Sequence, residues 1–369
     1  SGGAEPPPGV APGSCETDGP LGALALLRAF ASRGVRASLF CDAHNGPVLR
    51  AAYEEMMRYF AAADEPAAIK LAEHSRCLPF VSDAPLREEA RPGKEEEEQA
   101  FARRLSEVFP GAPPAAAPTG GRAVRVAMRL ASALRAAWGD EGLEQVDCLF
   151  ALERLGMPYR NIRGRAIGEH TEPIDWLWPV LSPATASSGS LCQASVDCLN
   201  DYAAEAKISP AVTAALRAVA GVAGDALTLG IGDGGNEVGM GKVAHLEAVA
   251  QLAPRGQEFV ALSVNGCYCT CDHLVLSTVS NWGGAAFEMA AHALFPPDVD
   301  YAAAMRRRGD ALPDLEERLL AAAVAAHAVD GISSERRHKV DGMEYDPHHR
   351  RLYELLWALA GAGGGAAGA

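Results

Sequence analysis

The sequence predicts an α/β fold: a mainly parallel, open sheet with helices on both faces, three layers in all. Two observations predict it. Short apolar runs of strand length near residues 35, 146, 226, 259 and 273 alternate with amphipathic runs of helix length, the pattern of repeated β-α-β crossovers. One of these runs, 226–231, stops abruptly at Gly232-Asp233-Gly234-Gly235 before an amphipathic run over 238–252, and the same order of strand, polar glycine turn and helix returns over 273–294. In an open α/β sheet, ligands collect at the carboxyl ends of strands, where backbone amides and helix N-termini converge.

Taken in order, residues 1–13 are Pro/Gly-rich and are expected to be disordered. A single domain is expected over 14–360, with a disordered Gly/Ala tail at 361–369. Thr17 or Asp18 can cap a helix running from about Pro20 to Arg33 and ending at Gly34. A strand follows over 35–41 with Asp42 at its carboxyl end, and Asn45-Gly46-Pro47 opens a helix through about residue 60. Beyond it lie a short apolar piece at 78–81, a glutamate run at 95–98 that starts a solvated helix, and a linker at 110–121. A helix over 123–137 leads to a strand over 146–152, then Glu153-Arg154 and an arginine-rich turn containing Arg160, Arg163 and Arg165.

A Ser/Ala loop at 182–190 and two helical segments broken at Pro210 precede the central strand. After it come a strand over 259–264 and the alternating Cys267, Cys269 and Cys271, which share one face of an extended segment. That spacing differs from structural zinc sites, so small buried residues free of zinc are expected. A strand over 273–278, the turn Ser280-Asn281-Trp282-Gly283-Gly284 and a helix over 285–294 follow. Two Asp-Gly turns, Asp330-Gly331 and Asp341-Gly342, come before a last helix over 347–359.

Composition bounds the partners. A formal charge of -14 argues against nucleic acid and against anionic membranes, and no apolar run reaches the length of a membrane span. Nine cysteines, an odd number without framework spacing, favour a reduced, intracellular setting over a secreted disulfide scaffold. No signal-peptide pattern opens the chain. Oligomeric state is not fixed by any of these features.

The glycine loop at 232–235 permits close backbone approach to a small ligand. It is neither a P-loop nor a dinucleotide fingerprint, because Lys242 falls too late and the acidic residues lie inside the loop, so no nucleotide cofactor is expected. Read plainly, Asp233 is a helix cap and Glu237 a first-turn partner of the helix dipole. Read chemically, two carboxylates at a helix N-terminus suit proton transfer or a divalent cation such as Mg or Mn. From spacing alone Glu153-Arg154 reads first as a surface ion pair and the arginine turn as a solvated loop, while Asn281 with Trp282 reads equally as a helix cap and a packed indole.

The combination of Glu16-Thr17-Asp18-Gly19-Pro20-Leu21-Gly22, Glu153-Arg154, Asn161-Ile162-Arg163-Gly164, the long run from Gly230 through Gly232-Asp233-Gly234-Gly235-Asn236-Glu237-Val238 to Val243, Ser280-Asn281-Trp282-Gly283, and Val329-Asp330-Gly331 with Val340-Asp341-Gly342 resembles the C-terminal, catalytic-type domain of the D-glutamate cyclase family. The resemblance spans about residues 14 to 358. The family's apolar strand and glycine turn ahead of the Thr-Asp-Gly-Pro segment have no counterpart here, where a Pro/Gly-rich stretch stands instead.

The resemblance implies a lyase that closes D-glutamate, a small amino-acid substrate, to 5-oxo-D-proline with loss of water, in vertebrates a mitochondrial activity. Asp233 and Glu237 are then the acid, base or metal-holding residues, and Asn236 and Asn281 are neutral donors to an oxyanion. Arg163 and Arg165 are the carboxylate clamps. Asp18, Glu153, Gly234, Gly235, Trp282 and Asp341 lie in matching motifs and join the substrate-binding set. A metal-dependent hydrolase or phosphatase of a small anionic metabolite uses similar residues, and a non-catalytic metabolite-binding module is a third expectation.

Overall fold

The computed structural model of the protein describes residues 16–42, 45–80, 146–153, 222–234, 237–240, 271–295 and 297–363. Contacts gather the chain into two compact units, Ser1–Phe80 with Leu276–Ala369, and Val81–Val275. Both pair strands in parallel, and among the described residues helices accompany the strands of the first unit, which makes the class α/β.

In the first unit, α1 (Pro20–Ala31) places Leu21, Leu24 and Leu27 on one buried stripe, and it ends where the chain turns at Gly34. Strand β1 (Ala37–Asp42) leads through α2 (Gly46–Ala63) and α3 (Glu65–His74) to β2 (Ser75–Phe80), which pairs with β1 in parallel from Ala37↔Ser75 to Asp42↔Phe80. Pro47 pre-sets the first turn of α2, and the Asp64 side chain accepts from the Ala67 amide to start α3.

After residue 275 the chain supplies α4 (Ser280–Leu294), α5 (Tyr301–Arg308) and α6 (Leu312–Ala325). A short antiparallel hairpin, β6 (Lys339–Val340) with β7 (Met343–Glu344), a π-helical turn at Tyr345–His349 and α7 (Arg350–Gly363) complete the unit. The hairpin loop is Asp341-Gly342, with φ of 50° and 76°, as the mirror-image turns of tight hairpins require. One core joins these helices through Leu24, Met56, Phe60, Leu71, Met289, Tyr301, Leu315, Leu319 and Tyr353. The axes of α1 and α4 cross in backbone contact, since a Cβ on Gly284 would lie 2.4 Å from the Gly22 carbonyl oxygen.

In the second unit, β3 (Val146–Leu152), β4 (Val222–Gly232) and β5 (His273–Leu276) form a sheet in the order β3-β4-β5. Strands β3 and β4 run parallel, in register from Cys148↔Leu227 to Leu152↔Ile231, with an irregularity between Val146 and Cys148.

Several expectations need correction. Strand β4 begins at Val222 rather than 226, and β5 ends at Leu276 rather than 278. Residues 238–240 form a turn, so no helix starts at Val238. Helix α4 starts at Ser280, five residues before the expected 285, and takes Asn281 and Trp282 into its first turn instead of a loop. Asp18 caps that helix and not α1, whose N-cap is Gly19 at φ 94°. Helix α7 runs to Gly363, into the Gly/Ala tail. The disordered start at 1–13, the helices at 95–98 and 123–137, the segments around Pro210 and the strand at 259–264 lie outside the described residues.

Candidate functional site

The second unit gathers three acids at the carboxyl ends of neighbouring strands. Glu153 follows β3 and holds φ at 50°, a left-handed conformation that a non-glycine residue adopts only under constraint. The constraint is its amide, which donates to the Ile231 carbonyl at 3.1 Å and so ties the end of β3 to the end of β4. Asp233 lies one residue past β4 and is half-buried, whereas Glu237 is buried with 1% exposure. Carboxylate oxygens of Glu153, Asp233 and Glu237 all lie within 4.8 Å of one another.

Local structure explains the position of Glu237. The Gly234 amide donates to its Oε1 at 2.9 Å, and the Met240 amide donates to its carbonyl at 3.1 Å, closing the turn. Its side chain lies on the bare backbone of Gly232, where a Cβ would come 2.8 Å from the Glu237 Cβ and 3.0 Å from Oε2. Cys271, 2% exposed, donates to the His273 carbonyl at 2.9 Å and lies over Gly239 in that same turn. Next to it, Asp272 accepts from the Thr228 amide and hydroxyl at 2.9 and 2.8 Å, which fixes the entry to β5 against β4.

Three carboxylates this close repel one another unless they share added positive charge, either a proton or a cation. An all-oxygen donor set suits a hard divalent ion such as Mg or Mn better than zinc. The same cluster can exchange a proton with a bound amine or carboxyl group.

In the first unit the expected site residues Asp18, Asn281, Trp282 and Asp341 have close neighbours within the fold. The Asp18 carboxylate, 5% exposed, accepts from the Ser280 amide at 2.9 Å and from the Asn281 and Gly19 amides at 2.8 and 2.9 Å. It is the capping group at the α4 N-terminus, where negative charge also opposes the helix dipole. Asn281, 1% exposed, accepts from the Gly22 amide at 2.8 Å and donates to the Thr17 carbonyl at 3.0 Å, so both ends of its amide join α4 to the segment around α1. Trp282 donates from Nε1 to His349 Nδ1 at 2.8 Å, with the two rings edge to face. Asp341 sits in the β6–β7 loop, and a carboxylate oxygen lies within 4.8 Å of one on Asp18.

The loop carrying Asp341 is held by Asp330, a fully buried residue whose carboxylate accepts from the Gly342 amide at 2.8 Å and the Ser333 amide at 2.7 Å. Burial alone would raise the Asp330 carboxyl, but those hydrogen bonds, with Lys339 nearby, hold it below its ordinary value.

The structure therefore brings Glu153, Asp233 and Glu237 together, with Gly234 as a backbone donor to Glu237. Gly235, Asn236, Arg163 and Arg165 lie outside the described residues. Sequence reasoning placed Glu153 with the substrate and did not foresee it beside Asp233, although a charged residue directly after an apolar strand was the available signal.

A family model described as D-glutamate cyclase-like, C-terminal, matches residues 8–185 and 203–356. The mitochondrial D-glutamate cyclase of Homo sapiens is 34% identical over 140 residues, which cover 34% of this chain and 21% of that protein. The matched stretch thus spans about a fifth of the length of the human relative.

Proposed function

The chain belongs to the D-glutamate cyclase-like C-terminal family, and from that premise we propose that it is a lyase closing D-glutamate to 5-oxo-D-proline and water. The observation that carries the proposal is the cluster of Glu153, Asp233 and Glu237 at adjacent strand ends. In the reaction the α-ammonium gives up two protons in all, its nitrogen bonds to the carbon of the γ-carboxyl group, and one oxygen of that group takes up two protons as its C–O bond breaks and leaves as water. Ring closure within one molecule supplies proximity, worth up to ~7 to 11 kcal/mol when the geometry is right.

The remaining need is for acid, base and charge. Asp233, the more accessible of the two loop acids, is assigned to take the ammonium proton, and buried Glu237 to return a proton to the leaving oxygen. A divalent cation held by oxygens of Glu153, Asp233 and Glu237 would instead polarise the γ-carboxyl. Arg163 and Arg165 are proposed to bind substrate carboxylate through their guanidinium forks. A mitochondrial location is part of the same proposal, on the description of the human relative. Among the described residues no helix is long and apolar enough to cross a membrane.

The test compares Asp233→Asn and Glu237→Gln with the parent for melting temperature and 5-oxoproline formation, with and without Mg²⁺ or Mn²⁺. Both variants should fold and lose turnover, because they change charge at nearly constant shape. A variant that melts early yet turns over at the parental rate per folded molecule would end the assignment. Turnover of a phosphate ester, or ligand-dependent melting shifts without any product, would move the family member to one of the other two functions.

A further inference from the structure

Within the first unit, Arg28 of α1 lies on the same buried stripe as Leu21 and Leu24, with 0% of its side chain exposed. Its Nε and Nη2 donate to the two oxygens of Glu288 on α4 at 2.7 and 2.6 Å, and Nη2 also donates to Glu316 Oε1 on α6 at 2.5 Å. The Tyr301 hydroxyl of α5 donates to Glu288 at 2.5 Å. Glu288 and Glu316 are 0% and 1% exposed. Among the described residues Arg28 Nη1 has no hydrogen-bond partner, so the guanidinium serves these two carboxylates alone.

One cation between two carboxylates leaves a surplus negative charge in an apolar core, a costly state that a bound proton removes. The geometry says which carboxylate takes it. Glu288 accepts three hydrogen bonds whereas Glu316 accepts one, so Glu316 is the carboxylate with fewer donors to hold a negative charge. We propose that Arg28, Glu288 and Glu316 form a proton-operated clasp, closed across α1, α4, α5 and α6 while Glu316 carries a proton and loosened when the proton leaves.

The surroundings support this assignment. Burial first, and then the charge of Glu288, push the Glu316 carboxyl up to about 7 against the pull of Arg28. Burial alone would lower the Arg28 guanidinium, but Glu288 and Glu316 raise it, so it stays charged throughout. Burial raises the hydroxyls of Tyr301 on α5, Tyr345 in the π-helical turn and Tyr353 on α7, which therefore stay protonated. Burial lowers His292 on α4, with Arg33 of α1 adding to the effect, so it is neutral above pH 6.5. From α2, the Tyr59 hydroxyl is raised by burial and bonded to Asp310, while Glu55 pairs with Arg58 and Arg318 at the surface.

The sign follows from linkage. A carboxyl whose folded value is raised contributes stability that is complete below its unfolded value of 4.5 and is lost as pH rises through about 7. The experiment measures the folding equilibrium of the whole chain in denaturant at pH 6 and 8.5 for the parent and for Glu316→Gln, which mimics the protonated acid. The parent should lose roughly tenfold more in its folding constant between the two pH values than the variant does. His292 changes stability in the opposite direction and is common to both proteins. Equal pH dependence in the two would overturn the clasp, as would a variant much less stable than the parent at pH 6. Hydrogen exchange of the α1, α4 and α6 amides in the parent, corrected for intrinsic rates, gives a second readout. Protection there must fall from pH 6 to 8.5, and unchanged protection would overturn the clasp as well.

Discussion

A methyl group on Gly232 would lie 2.8 Å from the Glu237 Cβ and 3.0 Å from both Cγ and Oε2, so the bare backbone at this position is the seat of the Glu237 side chain. Gly232→Ala must displace that carboxylate while leaving the strand pairing of β4 in place. Under the proposed role of Glu237, where displacements near 1 Å cost on the order of 100-fold in rate, 5-oxoproline formation should fall steeply with a small change in melting temperature. Parental turnover in Gly232→Ala would show that the position of Glu237 is immaterial to the reaction. At this scale much of the site was legible. The run of Gly232, Asp233 and Glu237 announces a strand-end acid loop from its own residues, because the parts are adjacent in sequence. Arg28 is not among the expected site or core residues, yet its place seven residues after Leu21 on the apolar stripe of α1 is the visible sign of a buried charge.

Helix α4 owes its N-terminus to a residue about 260 positions away in the chain, and that is why its start was misplaced by five residues. Local sequence around Val279 supplies no capping side chain, and Asp18 provides it instead. Removing that carboxylate in Asp18→Ala leaves buried amides of Ser280 and Asn281 without their acceptor, at a cost of about 2 kcal/mol or more, whereas Asp18→Asn keeps one oxygen and should cost less. Denaturant midpoints of the two variants check this, and equal, parental midpoints would remove the capping role. Elements whose signals are local were read well: α1, β1, α2, β3 and β5 stand within a few residues of expectation. Helices α3, α5 and α6 are not among the elements expected from the sequence, although each carries a start signal, namely Asp64 bonded to the Ala67 amide, Asp300 bonded to the Ala303 amide, and Asp314 accepting from the Ala311 amide. Their alanine-rich faces blur the apolar period, and tertiary packing sets their extent.

For the molecule as a whole, two buried carboxyls with opposite shifts shape the pH dependence of stability. Asp330 lies below its ordinary value of 3.8, so the stability it contributes is present above that value and is lost as pH falls through its lower, folded value. Glu316 does the reverse, and its contribution disappears as pH rises through about 7. The two together predict a dome with its top between about pH 3.8 and 4.5, acidic for a chain whose formal charge of -14 adds self-repulsion on the alkaline side. Self-repulsion alone also lowers stability at high pH, so the shape of the parent curve is not enough. The variants separate the causes: Asp330→Asn should flatten the acid limb, and Glu316→Gln the limb through neutrality, each leaving the other limb as it was. Hydrogen exchange on peptides from α1, α4, α6 and the β6–β7 hairpin, followed from pH 3 to 9, reports on the unit that holds both residues. An alkaline limb that persists unchanged in Glu316→Gln would assign that loss to net charge, and the buried cluster would then be a fixed ion-pair network without a working proton.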